Sequence, residues 1–179
     1  MEKYKRETPG IDYEMFRPEI RPLIENLEND SGVTRQSSRE KLVSKGNEVV
    51  DDIAKLIDAK KKIIRWEAAK TLEGIATEQA IGPLIELLED KLSDIRWIAA
   101  IGLIKIGEPA VRPLLEAIID KSDSYYLDKG AHHVLKSLEN EELRDKLKPV
   151  IGALKNKKMV AELAPVEAKR ILNELYYSE

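Results

Sequence analysis

Apolar residues recur along this chain at spacings of three and four, not two. Ala68, Leu72 and Ile75 stand at i, i+4 and i+7, and Ala99, Leu103 and Ile106 repeat the same interval. That interval is one face of a 3.6-residue helix. A second apolar set follows each first one, in Ile53, Leu56 and Ile57, in Leu84, Leu87 and Leu88, and in Leu114, Ala117 and Ile118. The pattern therefore predicts pairs of amphipathic helices. No glycine-containing hairpin turn joins two alternating runs, so no sheet is expected.

The pairs are copies of one another. Ile64-Arg65-Trp66-Glu67-Ala68-Ala69 matches Ile95-Arg96-Trp97-Ile98-Ala99-Ala100, and Pro83-Leu84-Ile85-Glu86 matches Pro113-Leu114-Leu115-Glu116. Arg65 and Arg96 are 31 residues apart, and Arg35 precedes Arg65 by 30. One unit later, this register puts Leu127 in the arginine column. A fixed period of this size is the signature of a solenoid. Gly46 and Gly107 fall just past a first helix, where a left-handed cap suits glycine, and Pro109 suits the first turn of the next helix. Pro83 and Pro113 fall at or just beyond that turn, where a slight kink is expected.

Partial units bracket the full ones. Pro18 to Leu27 reads as a second helix without its first, Pro149 to Leu154 as a degenerate second helix, and Pro165 to Tyr177 as one closing amphipathic helix. The expected organisation is a charged tail at 1–10 and one repeat domain at 11–179. Its units run at about 11–30 (a half-repeat), 33–59, 62–90, 93–121 and 124–156, with a capping helix at 159–179. Terminal units must present a polar outer face, so atypical ends are what a solenoid needs.

Composition narrows the chemistry. Charged residues make up 35% of the chain, yet the net charge is only −3, so no concentrated basic surface is expected for phosphate. The absence of cysteine excludes disulfides, thiolate catalysis and cysteine-ligated metals. His132 and His133 are adjacent, so on a helix they point about 100° apart and cannot share a metal in the i, i+4 manner. No apolar run approaches the ~20 residues that span a bilayer. The charged N-terminus lacks the apolar stretch of a signal peptide. A cytoplasmic protein without metal or cofactor is the expectation.

The Asp94-Ile95-Arg96, Ala99-Ala100, Leu103, Ile106-Gly107 and Pro113-Leu114-Leu115 series resembles the HEAT-like repeats first named in phycobilisome lyases. The likeness spans roughly residues 18–154. Unit two departs from the motif at Lys61 or Lys62 and at Ala76; unit one has serines near the alanine pair; unit four has lost the arginine. The resemblance implies an all-α fold, a right-handed α-α superhelix of about five helix-pair units counting half-units. It does not imply one function, because the scaffold hosts adaptors, lyases, hydroxylases and DNA glycosylases. The His-Glu dipeptides of the iron-binding hydroxylases are absent.

The conspicuous residues are repeat features. Arg35, Arg65 and Arg96 form a column that could serve a phosphate or carboxylate ligand; the favoured reading is a packing ladder onto an acid or a helix C-terminus in the adjacent unit. Trp66 and Trp97 could stack on a base or grip a partner, and partial burial between units is the favoured role. In HEAT-like folds the second helices line the concave face, where Glu25, Lys55, Glu86 and Glu116 form a polar column, with Glu28, Asp58 and Glu89 beside it. The sequence thus points to a non-enzymatic scaffold. It would bind a protein or peptide, a basic one by this column, through Glu25, Lys55, Glu86, Glu89 and Glu116. Two rivals stay open: a phycobilisome-lyase-like chromophore enzyme, and a nucleic-acid-binding or base-excision protein using Trp66, Trp97 and Arg65. Whether Tyr176 and Tyr177 cap the core or join a second chain is likewise open.

Overall fold

The computed structural model describes residues 11–156 and 159–177, and the tail at 1–10 lies outside them. Among the described residues there are eleven α-helices and no strand. They are α1 (Arg21–Glu25), α2 (Gly32–Ser44), α3 (Val50–Ala54), α4 (Lys62–Ile75), α5 (Ile81–Leu87), α6 (Ser93–Ile106), α7 (Val111–Asp120), α8 (Tyr125–Lys136), α9 (Glu141–Lys146), α10 (Lys148–Lys155) and α11 (Val160–Tyr176).

Local chemistry sets the element ends. Ser31, Ser124 and Asn140 cap α2, α8 and α9 by accepting from the backbone N–H three residues on, which satisfies one of the orphan donors of a helix start. Past the first helices, Gly46 and Gly107 take positive φ (59° and 78°), and Ala76 is forced into the same left-handed region at φ 45°. A Cβ there costs roughly 1 kcal/mol, so unit two pays for lacking the glycine. The second helices α3, α5 and α7 each open with a single 3-10 turn. Pro83 and Pro113 are the third residues of α5 and α7. With no N–H to donate back four residues, they favour that tight entry.

The first helices α2, α4, α6 and α8 stack in order, and the second helices pack against them as a second layer. Leu42, Leu72 and Leu103 on the first helices and Leu56, Leu84 and Leu114 in the second layer are almost wholly excluded from water, worth roughly 1.5–3 kcal/mol for each side chain. Close approach matters at Gly102, where a Cβ would come within 2.9 Å of Leu84 Cδ1 and 3.3 Å of the Glu73 backbone. Alanine there would have to push α5 or α4 away.

The carboxyl end departs from the simple stack. A separate helix, α9, intervenes before α10. α11 opens at Val160, five residues ahead of Pro165, and carries that proline inside it. It packs against α7 and α10, both second-layer helices, burying Ala164, Ala168, Ile171 and Leu172. α11 is therefore a third layer, laid over the second helices of the last two units.

Candidate functional site

The arginine column is a set of carbonyl clamps. Arg35 Nη1 donates to Asn29 O (2.7 Å), Arg65 Nη1 to Ala59 O (2.8 Å) and Arg96 Nη1 to Asp90 O (2.7 Å). Each acceptor lies six residues back, in the turn that ends the preceding second helix, where helix-terminal carbonyls lack partners. Each guanidinium has a further partner. Arg35 meets Glu67 at 3.1 Å, Arg65 grips both oxygens of Asp90, and Arg96 lies 4.1 Å over the Tyr126 ring. Arg35 and Arg65 thus spend their donors on acids of the fold, whereas Arg96 has its face on a ring.

Counting from the N-cap shows the rule behind the column. The caps are Ser31, Lys61 and Leu92, and the arginine stands four residues on in each case. Asn140 caps α9, and Arg144, four residues on, clamps Leu138 O at 2.9 Å. The repeat period alone missed Arg144; the cap-plus-four spacing would have found it. In α8 the cap is Ser124, so the equivalent residue is Asp128, one position past the Leu127 given by the period. Unit four thus puts an acid where the other units put a guanidinium. Asp128 is only 6% exposed. Its carboxylate has no hydrogen bond or ion pair among the described residues, and burial pushes its pKa up to about 6.

The two tryptophans diverge. Trp66 is half-buried, with Arg39 5.6 Å from its ring. Trp97 is 55% exposed and stacks on His133, 4.7 Å between centroids.

The five second-helix candidates also separate. Glu25 and Glu86 are exposed and carry no ion pair among the described residues. Lys55 is exposed but bonds Asp52 at 3.1 Å. Glu89 is bonded by Lys121; burial would raise its carboxyl, but hydrogen bonds from Lys121 and Ser124 and the Lys121 charge together outweigh it and hold the pKa low. Glu116 accepts from Arg112 Nε at 3.0 Å, and the same arginine donates to the Tyr177 hydroxyl at 2.7 Å. The end of α11 thus reaches the Glu116 position through Arg112.

Glu86 and Glu89 come together with Asp58 in an open cleft of ≈ 710 Å³ between the turns of neighbouring units. Its Arg65 is committed to Asp90 and its Lys121 to Glu89. Asp58 and Glu86 are unpaired among the described residues, and Lys60 and Lys91 stand on the rim. Glu25 lies outside this cleft, on α1. Among the described residues no cluster of His, Asp and Glu could hold a metal ion, and no helix is long and apolar enough to cross a membrane.

Comparison with known proteins agrees with the architecture. No curated protein matches the chain. A family model described as HEAT repeats matches residues 50–136, from the start of α3 to the end of α8. With the stacked helix pairs on either side of that stretch, the described residues have the all-α fold of a HEAT-like solenoid.

Proposed function

We propose that the protein is a binding module that holds a basic peptide or helix along the second helices from α1 to α5. HEAT repeats commonly mediate contacts between proteins, and this fold typically serves as a non-enzymatic scaffold. The observation that carries the finer reading is the set of exposed carboxylates with no ion pair among the described residues: Glu25, Asp58 and Glu86. Elsewhere this surface satisfies its own charges, as at Lys55, Glu89 and Glu116. Unpaired acids in a row offer a basic partner charge-assisted hydrogen bonds without first breaking an internal pair. The third layer limits the surface, because α11 covers α7.

Fluorescence anisotropy with a labelled, lysine-rich amphipathic helix peptide tests this. Binding should strengthen at low salt, and the triple variant Glu25→Lys, Asp58→Lys, Glu86→Lys should weaken it by roughly tenfold or more. Glu116→Lys should leave it unchanged. A labelled single-stranded oligonucleotide is the counter-probe. The reading fails if the triple variant binds the peptide as the parent does, or if the oligonucleotide binds more tightly than the peptide.

A further inference from the structure

Asp128 does not sit in a closed interior. It lines a cavity of ≈ 270 Å³ together with Tyr125 and His132 of α8, Leu154 of α10 and Val160 of α11. Lys129 and Lys155 complete the lining. The volume is near the lower end for ligand pockets, which suits a molecule of a few heavy atoms.

The cavity holds an unanswered charge. A buried carboxylate normally has a cation or several N–H donors, because taking it out of water costs several kcal/mol otherwise. Among the described residues Asp128 has neither, although Lys129 and Lys155 border the same space. Lys129 is drawn 4.4 Å over the exposed Tyr125 ring instead. Lys155 acts on His132, which burial and then the charges of Lys136, Lys155 and His133 hold below its ordinary pKa. His132 therefore stays neutral at pH 7 and does not answer the carboxylate. The fold itself shows what this position accommodates, since the cap-plus-four residue of α2, α4, α6 and α9 is a guanidinium. Reversing that charge leaves a place where an incoming cation gains an acceptor.

We propose that this cavity binds a small primary amine, its ammonium group on the Asp128 carboxylate and its alkyl part against Leu154 and Val160. A metal ion does not fit, since Asp128 is the only carboxylate in the lining among the described residues and oxygen-seeking cations need several such ligands. An inorganic anion would meet the carboxylate head-on. The site is distinct from the second-helix face and does not depend on it.

The test titrates the full chain with n-butylammonium, and in parallel with n-butanol and n-butyrate, following backbone amide shifts by NMR at pH 7.5. The amine should give saturable shifts at Leu127, Asp128 and Lys129, with an apparent Kd in roughly the millimolar range for so few atoms. Asp128→Asn keeps the shape and removes the charge, and its undisturbed distant amides would show that it folds. In that variant the amine should bind at least tenfold more weakly, and the alcohol should bind weakly and equally in both proteins. Three results would overturn the proposal: no saturable shift with the amine, an amine response retained in Asp128→Asn, or a preference for butyrate, which would mean that the cavity reads Lys129 and Lys155 instead.

Discussion

Glu67 and Asp128 are both buried carboxylates on first helices, and the protein treats them in opposite ways. Glu67, 1% exposed on α4, accepts from Arg35 Nε at 3.1 Å and Arg39 Nη1 at 2.5 Å. Those arginines come from the neighbouring helix α2, so the acid ties unit one to unit two. Asp128, 6% exposed on α8, receives nothing among the described residues. A buried charge costs nearly the same to desolvate wherever it sits, so the difference lies in what repays the cost. At Glu67 two charge-assisted hydrogen bonds repay it within the fold. At Asp128 the repayment is missing, and a cavity lies beside it. The amino-terminal units use buried charge to hold register; the fourth unit keeps it in reserve.

Removing the acid is the strongest way to break the first half of this comparison. Glu67→Ala leaves two guanidinium groups of α2 side by side at the α2–α4 contact without their acid. Losing one partner of a buried pair costs about 3–5 kcal/mol. Arg35 and Arg39 keep 22% and 17% of their side-chain surface in water, so about 3 kcal/mol is expected, read from urea unfolding at pH 7. A loss under about 1 kcal/mol would mean that the pair does not hold the units together.

At Asp128 the same logic reverses the sign. The folded-state pKa of about 6 lies above the ordinary 3.8, so between these values the native state holds a proton that the unfolded chain has released. Stability contributed by the protonated acid is complete below about pH 3.8 and lost as pH rises through 6. Asp128→Asn removes the titration. It should therefore raise unfolding stability by about 2 kcal/mol at pH 7.5 and by much less at pH 4. Urea titrations of both proteins at the two pH values measure this. An equal effect at both would show that Asp128 is not ionised in the fold.

How far the sequence reaches can be judged from the same residues. The repeat is legible because Arg65 and Arg96, Ala68 and Ala99, and Leu72 and Leu103 must meet the same neighbours in each unit, so the same residue types return. Asp128 was hidden because α7 runs on to Asp120 and shifts the cap of α8 by one residue, so period and cap disagree there. The place of α11 was hidden for another reason. An amphipathic stripe tells that a helix buries one face, not which helices it meets. On the second helices, spacing put Glu25, Lys55, Glu86 and Glu116 in one column. It could not show that Lys55 turns to Asp52, or that Glu116 shares Arg112 with Tyr177. Those pairings depend on side chains far apart in sequence or on competition among near neighbours.

The tryptophans sharpen the comparison on its smallest scale. Trp66 belongs to the tied half: it is half-buried, packs on the core, and carries Arg39, which also serves Glu67. Trp97 belongs to the open half: 55% of it is in water and its main contact is the stack on His133. Truncation at Trp66 strips core packing and leaves Arg39 without its ring, so Trp66→Ala should cost about 2 kcal/mol. Trp97→Ala loses one exposed aromatic stack and should cost about 1 kcal/mol or less. The two differ by about 1 kcal/mol although the repeat makes them equivalent, and paired urea unfolding curves resolve that gap. Equal costs would mean that the stack on His133 holds units three and four together as firmly as burial holds the earlier pair. In that case the ring of Trp97 would be committed to the fold and not free on the surface.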